Sequence, residues 1–445
     1  MKKRYKYLTL FFIALLAFLT VMLIQLNRET DLPNESAEKK ETSEVQKEDT
    51  SMKEKNQESK ETTDTASEKE INAMTDTNEK VDKLIETMTL EEKVGQLMMI
   101  GFAGTEKSAE VEEFIEEKHI GGIIYFDRNM SSPKQVAELS NSLQQSAEGS
   151  RFSLPLMVAI DQEGGDIIRM REQVSPIPSQ QKLGEKASAD EVYQVAKLNG
   201  RELESMGINL NFAPVLDLSK KDSRSFGTNP KKTHQYGEKV IQGLNDASVT
   251  GALKHFPGNG RSDVDPHVET SSVEANQLDL ENSDIYPFKK IISEMDNDKF
   301  FMMVTHIKYP AYDKEKPASL SKVIIEDLLR EKLGYKGIVI TDDMEMGAVK
   351  NYFSFKDMGK EAILAGVDIV LVCHEHPHQL EVYNGIIEAV KSGEIPMERI
   401  DESTKRVLTY KLNNIQQTSV DPDQATKVVK SPESVKYINN LNLNE

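Results

Sequence analysis

The chain has a single cysteine, Cys373, among 445 residues, and it has no excess of basic side chains. The lone cysteine excludes an internal disulfide. The formal net charge is −19 at pH 7, and an acidic surface repels a phosphate backbone, so we expect no nucleic-acid partner. Cysteine and histidine nowhere cluster at the spacing of a structural zinc site.

The first 28 residues are basic and then apolar. Lys2, Lys3, Arg4 and Lys6 precede Leu8–Leu26, a run of 19 residues without a charge. As a helix this run is roughly 28 Å long, enough to cross a bilayer core. It is longer than the apolar part of a signal peptide, lacks a small-x-small cleavage site, and has no nearby cysteine for a lipid. The sequence therefore predicts an uncleaved membrane anchor over 1–28, with a cleaved signal as the alternative, and the rest of the chain outside the cytoplasm.

Residues 29–75 have no aromatic side chain and contain 14 acidic and 7 basic residues. Such a segment cannot bury enough apolar surface to offset the entropy cost of ordering. We therefore predict a disordered polar linker that holds the following domain away from the membrane.

Short apolar runs alternate with amphipathic helical patterns through residues 76–418, and this alternation indicates a parallel sheet covered by helices. The eight runs are Val94–Phe102, Gly121–Phe126, Leu156–Asp161, Ile208–Val215, Val249–Phe256, Phe300–Ile307, Gly337–Asp343 and Val367–Val372. The clearest helical patterns are Asp190–Met206, Leu320–Leu333 and Pro377–Val390. Eight units predict a single (β/α)8 TIM barrel. An open doubly wound sheet would need a glycine-rich phosphate loop after its first strand, which Gly101-Phe102-Ala103-Gly104 matches poorly. Residues 419–445 are predicted to be a polar, frayed tail.

Polar or ionisable groups follow five of the predicted strands, where a barrel of this type carries its functional groups. They are Asp161-Gln162-Glu163-Gly164-Gly165, Asp217 with Ser223-Arg224-Ser225-Phe226-Gly227, Lys254-His255, Thr305-His306 and Thr341-Asp342-Asp343. An Asp265-Pro266-His267 segment follows the fifth strand. A histidine titrates near neutrality, and a carboxylate beside it fixes its tautomer, so this pair suits general acid–base catalysis.

These motifs resemble glycoside hydrolase family 3, specifically its β-N-acetylglucosaminidase branch. The resemblance rests on Lys254-His255-Phe256-Pro257-Gly258, the later Asp-x-His, and Gly337-Ile-Val-Ile-Thr-Asp-Asp-Met-Glu-Met346. Supporting motifs are Ile160–Gly165, Arg224–Gly227 and Pro317–Ser321. The similarity covers roughly residues 80–415.

The resemblance implies a role for seven residues and no metal or organic cofactor. Asp342 matches the family's nucleophile, His267 its acid/base, and Asp265 the group that orients His267. Such a pair implies a covalent glycosyl-enzyme and net retention. The implied sugar-binding residues are Asp161, Arg224, Lys254 and His255, with Asp217 less well supported.

The chain departs from the family pattern around the Asp-x-His segment. Asn259 stands where the family usually has His, Pro266 stands where it usually has Ser, and a proline usual after the His is absent. Pro266 narrows the backbone freedom of this loop. Taken alone, Asp342 would suit a helix N-cap and Asp265-Pro266-His267 a surface turn. The surrounding motifs favour the catalytic interpretation.

The segment His374-Glu375-His376-Pro377-His378 has alternating histidines that can face one metal ion when extended. The stronger interpretation is a polar loop after the eighth strand, with Pro377 at the start of the next helix.

The resemblance implies exo-acting hydrolysis of terminal, non-reducing β-linked GlcNAc, with cell-wall glycans or muropeptides as substrate. Two alternatives stay open. A GlcNAc-specific glycoside phosphorylase would use the same site, because a histidine that is neutral in the second step repels phosphate less than a carboxylate does. A non-catalytic cell-wall-binding module could have the same fold.

Overall fold

The structure is a computed structural model that describes residues 70–262, 271–441 and 443. The predicted anchor (1–28) and the predicted linker as far as residue 69 lie outside these residues. In the described ranges, no helix has the length and apolar character needed to cross a membrane.

Eight parallel strands form a barrel, and a two-stranded antiparallel hairpin stands apart from it. In chain order the strands are β1 (Met98–Ile100), β2 (Gly122–Tyr125), β3 (Met157–Ile160), β4 (Leu210–Asn211), β5 (Thr250–Phe256), β6 (Phe300–Val304), β7 (Lys308–Tyr309), β8 (Asp313–Pro317), β9 (Val339–Thr341) and β10 (Val370–Val372). The barrel order is β10-β1-β2-β3-β4-β5-β6-β9, and β7 pairs with β8. A single parallel bridge between Ile340 and Ile369 joins β9 to β10 and nearly closes the ring.

Helices surround the barrel and fill the connections between its strands. They are α1 (Thr77–Thr87), α2 (Leu90–Gln96), α3 (Ala109–Glu116), α4 (Pro133–Glu148), α5 (Gln180–Lys186), α6 (Ala189–Ser205), α7 (Pro230–Asn245), α8 (Gln277–Asn282), α9 (Tyr286–Glu294), α10 (Gly347–Lys350), α11 (Phe355–Ala365), α12 (His376–Lys391), α13 (Met397–Asn414), α14 (Pro422–Val428) and α15 (Pro432–Asn440). Three short 3-10 turns cover Asp127–Asn129, Asn297–Lys299 and Ala318–Leu320, and Val323–Lys332 is a π-helix.

Each of the eight predicted apolar runs contains one barrel strand, so the predicted parallel barrel is confirmed. The barrel strands are buried along their whole length, as expected where helices cover one face and packed side chains fill the other. The first run was predicted too long, because residues 94–96 belong to α2. Thr89 and Glu92 form a capping box at the start of this helix, and the helix continues to Gln96 before the strand begins.

The structure differs from the sequence prediction at both ends of the described domain. The linker ends before residue 75, because Ile71 is only 3% exposed and packs with Val81 and Leu84. The described part of the tail, residues 419–441 and 443, is not frayed. It forms α14 and α15, which begin at side-chain caps and bury Ala425 and Ile438. A few apolar side chains spaced along a polar sequence are enough to dock a short helix on a larger core.

Candidate active site

Lys254 and His255 lie at the carboxyl end of β5, and both side chains are buried. Adjacent residues of a regular strand face opposite sides, yet both side chains contact groups at the barrel rim. The ladder between β5 and β6 shifts register between Leu253 and Phe256. This irregular segment therefore supplies two neighbouring functional groups to one site.

Lys254 holds together the acidic residues that follow β3. Its Nζ lies 2.7 Å from Asp161 Oδ1 and 2.6 Å from Glu163 Oε1. Arg224 donates to the same Glu163 carboxylate from Nε at 2.7 Å and from Nη2 at 2.8 Å. The predicted binding residues Asp161, Lys254 and Arg224 thus belong to one network with Glu163 at its centre. Asp161 keeps 20% of its side chain exposed, which leaves it able to meet a ligand.

The charges of this network are fixed by mutual pairing. Burial acts to raise the pKa of Glu163, but Lys254 and Arg224 outweigh it and lower that pKa to about 2. Burial acts to lower the pKa of Lys254, but Asp161 and Glu163 outweigh it, and the pKa is raised. A buried charge is tolerated only when it is paired in this way. The site therefore presents an ionised, oriented set of donors and acceptors.

Asp217 orients His255. Its Oδ2 is 2.6 Å from His255 Nδ1, and its Oδ1 accepts from the backbone N–H groups of His255 and Asn259 at 3.2 and 2.7 Å. Burial acts to raise the pKa of Asp217, but His255 and these N–H donors lower it overall. An ionised Asp217 holds the proton of His255 on Nδ1, so Nε2 is the ring atom left for a ligand. The side-chain Oδ1 of Asn259 is buried without a partner.

Asp342 directly follows β9. Its Oδ1 accepts from the Asp343 N–H at 2.9 Å. Burial acts to raise the pKa of Asp342, but the nearby His255, His306 and Lys254 and the Asp343 N–H outweigh it, and the pKa is lowered. The carboxylate therefore stays ionised at neutral pH, as a nucleophile requires.

His306 lies close to Asp342 and is fully buried. Its Nε2 is 2.9 Å from the Asp343 carbonyl oxygen, and its Nδ1 is 2.7 Å from Ser319 Oγ. A carbonyl can only accept, so Nε2 carries the proton and Nδ1 accepts from the Ser319 hydroxyl. Burial lowers the pKa of His306, and the two aspartates offset this only in part. A neutral imidazole thus supports the backbone that presents Asp342.

Sequence reasoning did not assign a role to Glu163, His306 or Arg169. Arg169 Nη2 is 3.7 Å from Asp161 Oδ2, and its guanidinium lies over the Phe126 ring. Glu163 and His306 each follow an apolar strand, and this position could have identified them from the sequence. Arg169 lies in the long connection after β3, where no periodic pattern marks it.

The three histidines of the 374–378 segment have separate partners. His374 lies 3.4 Å from Asp343 Oδ2, and His376 lies 4.0 Å from Glu113. His378 lies 2.6 Å from Glu345 Oε1. They do not face a common point, and Pro377 lies in the first turn of α12. The segment is a short loop over His374 and Glu375 that leads into α12, which begins at His376.

Asp265, Pro266 and His267 lie outside the described residues, so the predicted acid/base pair stays a prediction. Among the described residues, one group could hold a metal ion, and its members lie on α7 and α9. The rim itself combines an ionised carboxylate, a paired lysine and hydrogen-bonding groups. Such a set can bind a polyhydroxylated ligand and attack an electrophilic carbon.

The profile of the "Glycosyl hydrolase family 3 N terminal domain" matches residues 89–410. "Beta-hexosaminidase A" from Pseudoalteromonas piscicida is 31% identical over 367 residues, which are 73% of this chain and 61% of that protein. "Beta-hexosaminidase" from Nitrosomonas eutropha is 33% identical over 289 residues, which are 62% of this chain and 80% of that protein. This chain thus spans about three fifths of the first relative and four fifths of the second.

A solved structure of a family 3 β-N-acetylglucosaminidase from a Paenibacillus species is similar to this chain. It has a TM-score of 0.73 and 34% sequence identity over 80% of this chain and 68% of that one.

Proposed function

The chain belongs to glycosyl hydrolase family 3, and on that premise we propose that it is an exo-acting, retaining β-N-acetylglucosaminidase. The observation that carries the proposal is Asp342, a carboxylate at the end of β9 that nearby His255, His306, Lys254 and the Asp343 N–H keep ionised in spite of its burial. Its neighbours Asp161, Lys254 and His255 are the types that bind sugar hydroxyls. The names of the relatives support GlcNAc as the glycone.

In the proposed reaction Asp342 attacks the anomeric carbon and the bond to the leaving oxygen breaks. His267, oriented by Asp265, first protonates that oxygen and then removes a proton from the incoming water. The two displacements give net retention of configuration. The roles of His267 and Asp265 rest on the sequence motif alone.

The glycone would lie against the Asp161–Lys254–Glu163–Arg224 network. Asp161 accepts from sugar hydroxyls with its partly exposed carboxylate. Lys254, held at 2.7 Å, and Arg224 are fixed by their carboxylate partners, so little side-chain entropy is lost on binding. Because these side chains are already ordered, little of the binding free energy is lost in ordering the site.

The physiological substrate in this proposal is a cell-wall glycan or muropeptide, met outside the cytoplasm. The basis is the predicted anchor over 1–28 with its basic flank. Membrane and soluble fractions of cells that express the full chain, followed by mass determination of its N-terminus, test this. An N-terminus located after residue 28 in the medium would contradict an uncleaved anchor.

Turnover of an aryl β-N-acetylglucosaminide against an aryl β-glucoside by the full-length chain tests the activity, with Asp342→Ala as the inactive control. We expect a preference for the GlcNAc substrate. A preference for the glucoside would overturn the specificity, and an inactive wild-type protein would favour the wall-binding alternative.

Product analysis with and without inorganic phosphate separates hydrolysis from phosphorolysis. We expect free GlcNAc under both conditions. A sugar 1-phosphate that forms only with phosphate would replace the hydrolase by the phosphorylase.

A further inference from the structure

The C-terminal tail contacts the long connection that follows β3. The family profile ends at residue 410, so the tail helices α14 and α15 lie beyond the matched region. Lys430 lies between these two helices. Its Nζ donates to the Glu172 carbonyl oxygen at 2.6 Å. Glu172 belongs to a turn over residues 169–173, so the tail is bonded to the turn that begins with Arg169.

Glu202, on α6, joins the same connection to the same part of the tail. Its Oε1 accepts from the Lys430 N–H at 3.0 Å and from the Ser175 hydroxyl at 2.5 Å, and its Oε2 accepts from the Ser175 N–H at 3.1 Å. The side chain is buried, with 3% of the residue exposed. A buried carboxylate is strongly destabilised when its donors are removed. These hydrogen bonds therefore hold the connection and the tail in one arrangement.

The backbone is left-handed on both sides of this contact. Met170 in the turn has a φ of 47°, and Lys430 in the tail has a φ of 54°. A residue other than glycine keeps this conformation only where its surroundings hold it there. The Met170 N–H donates to Asp127 Oδ1 at 3.0 Å, and the Lys430 N–H donates to Glu202. Both strained residues are thus held by a carboxylate.

The turn leads directly to the glycone-binding network. Arg169 precedes Met170, and its N–H donates to Oε1 of Gln162 at 2.7 Å. Its Nη2 lies 3.7 Å from Asp161 Oδ2. A displacement of the turn would therefore move this guanidinium and change the orientation of the partly exposed Asp161 carboxylate.

We propose that Glu202 and Lys430 are positioning residues, which fix the turn over residues 169–173 and through it the Asp161 carboxylate. The inference rests on the proposed function, in which Asp161 binds the glycone. Asp161 meets the sugar before and during the reaction, so a looser Asp161 weakens binding in the ground state and in the transition state alike. Loss of either positioning residue therefore raises KM and leaves kcat nearly unchanged.

The test combines steady-state kinetics of the full-length chain on an aryl β-N-acetylglucosaminide with amide hydrogen exchange of residues 169–175 without substrate. Glu202→Gln and the exposed Lys430→Met each remove a hydrogen bond. We expect KM to rise about three- to tenfold in each variant, with kcat within about twofold of the wild type. Residues 169–175 should exchange faster in both variants. Lys430→Arg still donates to the Glu172 carbonyl and should restore the wild-type KM.

Asp423→Asn is the matched control, because Asp423 joins the tail to Lys134 of α4 at 2.8 Å and does not contact the turn. It should keep the wild-type KM and exchange. An unchanged KM in Glu202→Gln and Lys430→Met would overturn the positioning role, as would equal changes in Asp423→Asn. A wild type that does not turn over the GlcNAc substrate would overturn the proposed function. Equal exchange in the wild type and Glu202→Gln would overturn the positioning role by itself.

Discussion

The Glu163 carboxylate and the Lys254 ammonium are 2.6 Å apart, and neither side chain is more than 3% exposed. Removing two charges from water is costly, and one direct contact does not offset the cost. Asp161 supplies a second carboxylate to Lys254, and Arg224 supplies two N–H donors to Glu163. The pair therefore forms a rigid support for the partly exposed Asp161.

Glu163→Gln should lower the free energy of unfolding at pH 7 by about 3–5 kcal/mol, because it leaves Lys254 and Arg224 without their shared partner. The native carboxyl has a pKa of about 2 against an ordinary 4.5. The ionised Glu163 therefore makes its full contribution to the free energy of unfolding above roughly pH 4.5. This contribution is lost as the pH falls through 2. Denaturant unfolding of both proteins from pH 7 to pH 2 should show the gap shrinking.

Glu86→Gln is the control for that series, because Glu86 pairs with Lys83 on the surface, where both side chains are largely exposed. Its unfolding transition should match the wild type at every pH. A constant gap for Glu163→Gln down to pH 2 would contradict an ionised native Glu163.

Asp342→Asn should lower kcat for an aryl β-N-acetylglucosaminide at least about 1,000-fold and leave the fold intact. Asparagine keeps an oxygen to accept from the Asp343 N–H but cannot attack carbon. Trapping of a covalent intermediate, seen by intact mass, should fail in this variant.

Asp343→Asn is the matched control. Its Oδ1 accepts from the Glu345 and Cys373 N–H groups, and an amide oxygen preserves both contacts. We expect less than about a tenfold loss of kcat, since Asp343 supports the rim and does not react. Similar losses in both variants would argue against Asp342 as the nucleophile.

Ser319→Ala should cost about 1–3 kcal/mol of unfolding free energy, because it leaves Nδ1 of the buried His306 without a donor. The pKa of His306 is lowered by burial, so the unfolded chain takes up this proton first on acidification. The stability that depends on a neutral His306 is therefore lost as the pH falls below the ordinary pKa of histidine, near 6.5. Ser293→Ala, at an exposed serine bonded only to Lys290, should have no effect, and an equal loss there would contradict the assignment.

Lys411→Met should stabilise the protein most at or below pH 7. Lys411 is fully buried, its Nζ donates to Gln96 Oε1 at 2.7 Å, and burial lowers its pKa to about 7. The unfolded chain holds this proton up to about pH 10.5, so wild-type stability should gain up to about 1.4 kcal/mol per pH unit between 7 and 10 relative to the variant. Thermal unfolding across this range measures the difference.

Lys405→Met is the control for Lys411. Lys405 is exposed and pairs with Asp82, so its difference from the wild type should not vary with pH over the same range. A flat difference for Lys411→Met would show that the native lysine stays charged.

The periodic parts of the molecule were predictable from sequence because local burial determines them. Continuous apolar runs can be satisfied only between covering layers, so all eight barrel strands lie within predicted runs. Polar residues that end such runs had to meet at one rim. Asp161, Lys254 and Asp342 were found by this reasoning. Ile71 and Ile438 were missed, because isolated apolar side chains in polar segments give no periodic signal.

What the sequence determined by itself was the barrel, its rim and the motifs that identify the family, because strand period and strand ends are local properties of the chain. Tertiary structure alone decided the pairings. Glu163 follows β3 and Lys254 lies in β5, two strands that are separated by β4 in the barrel, so their charges meet only in the folded barrel. The irregular end of β5 decided that His255 joins Lys254 in the site, where regular alternation would have turned one of them away.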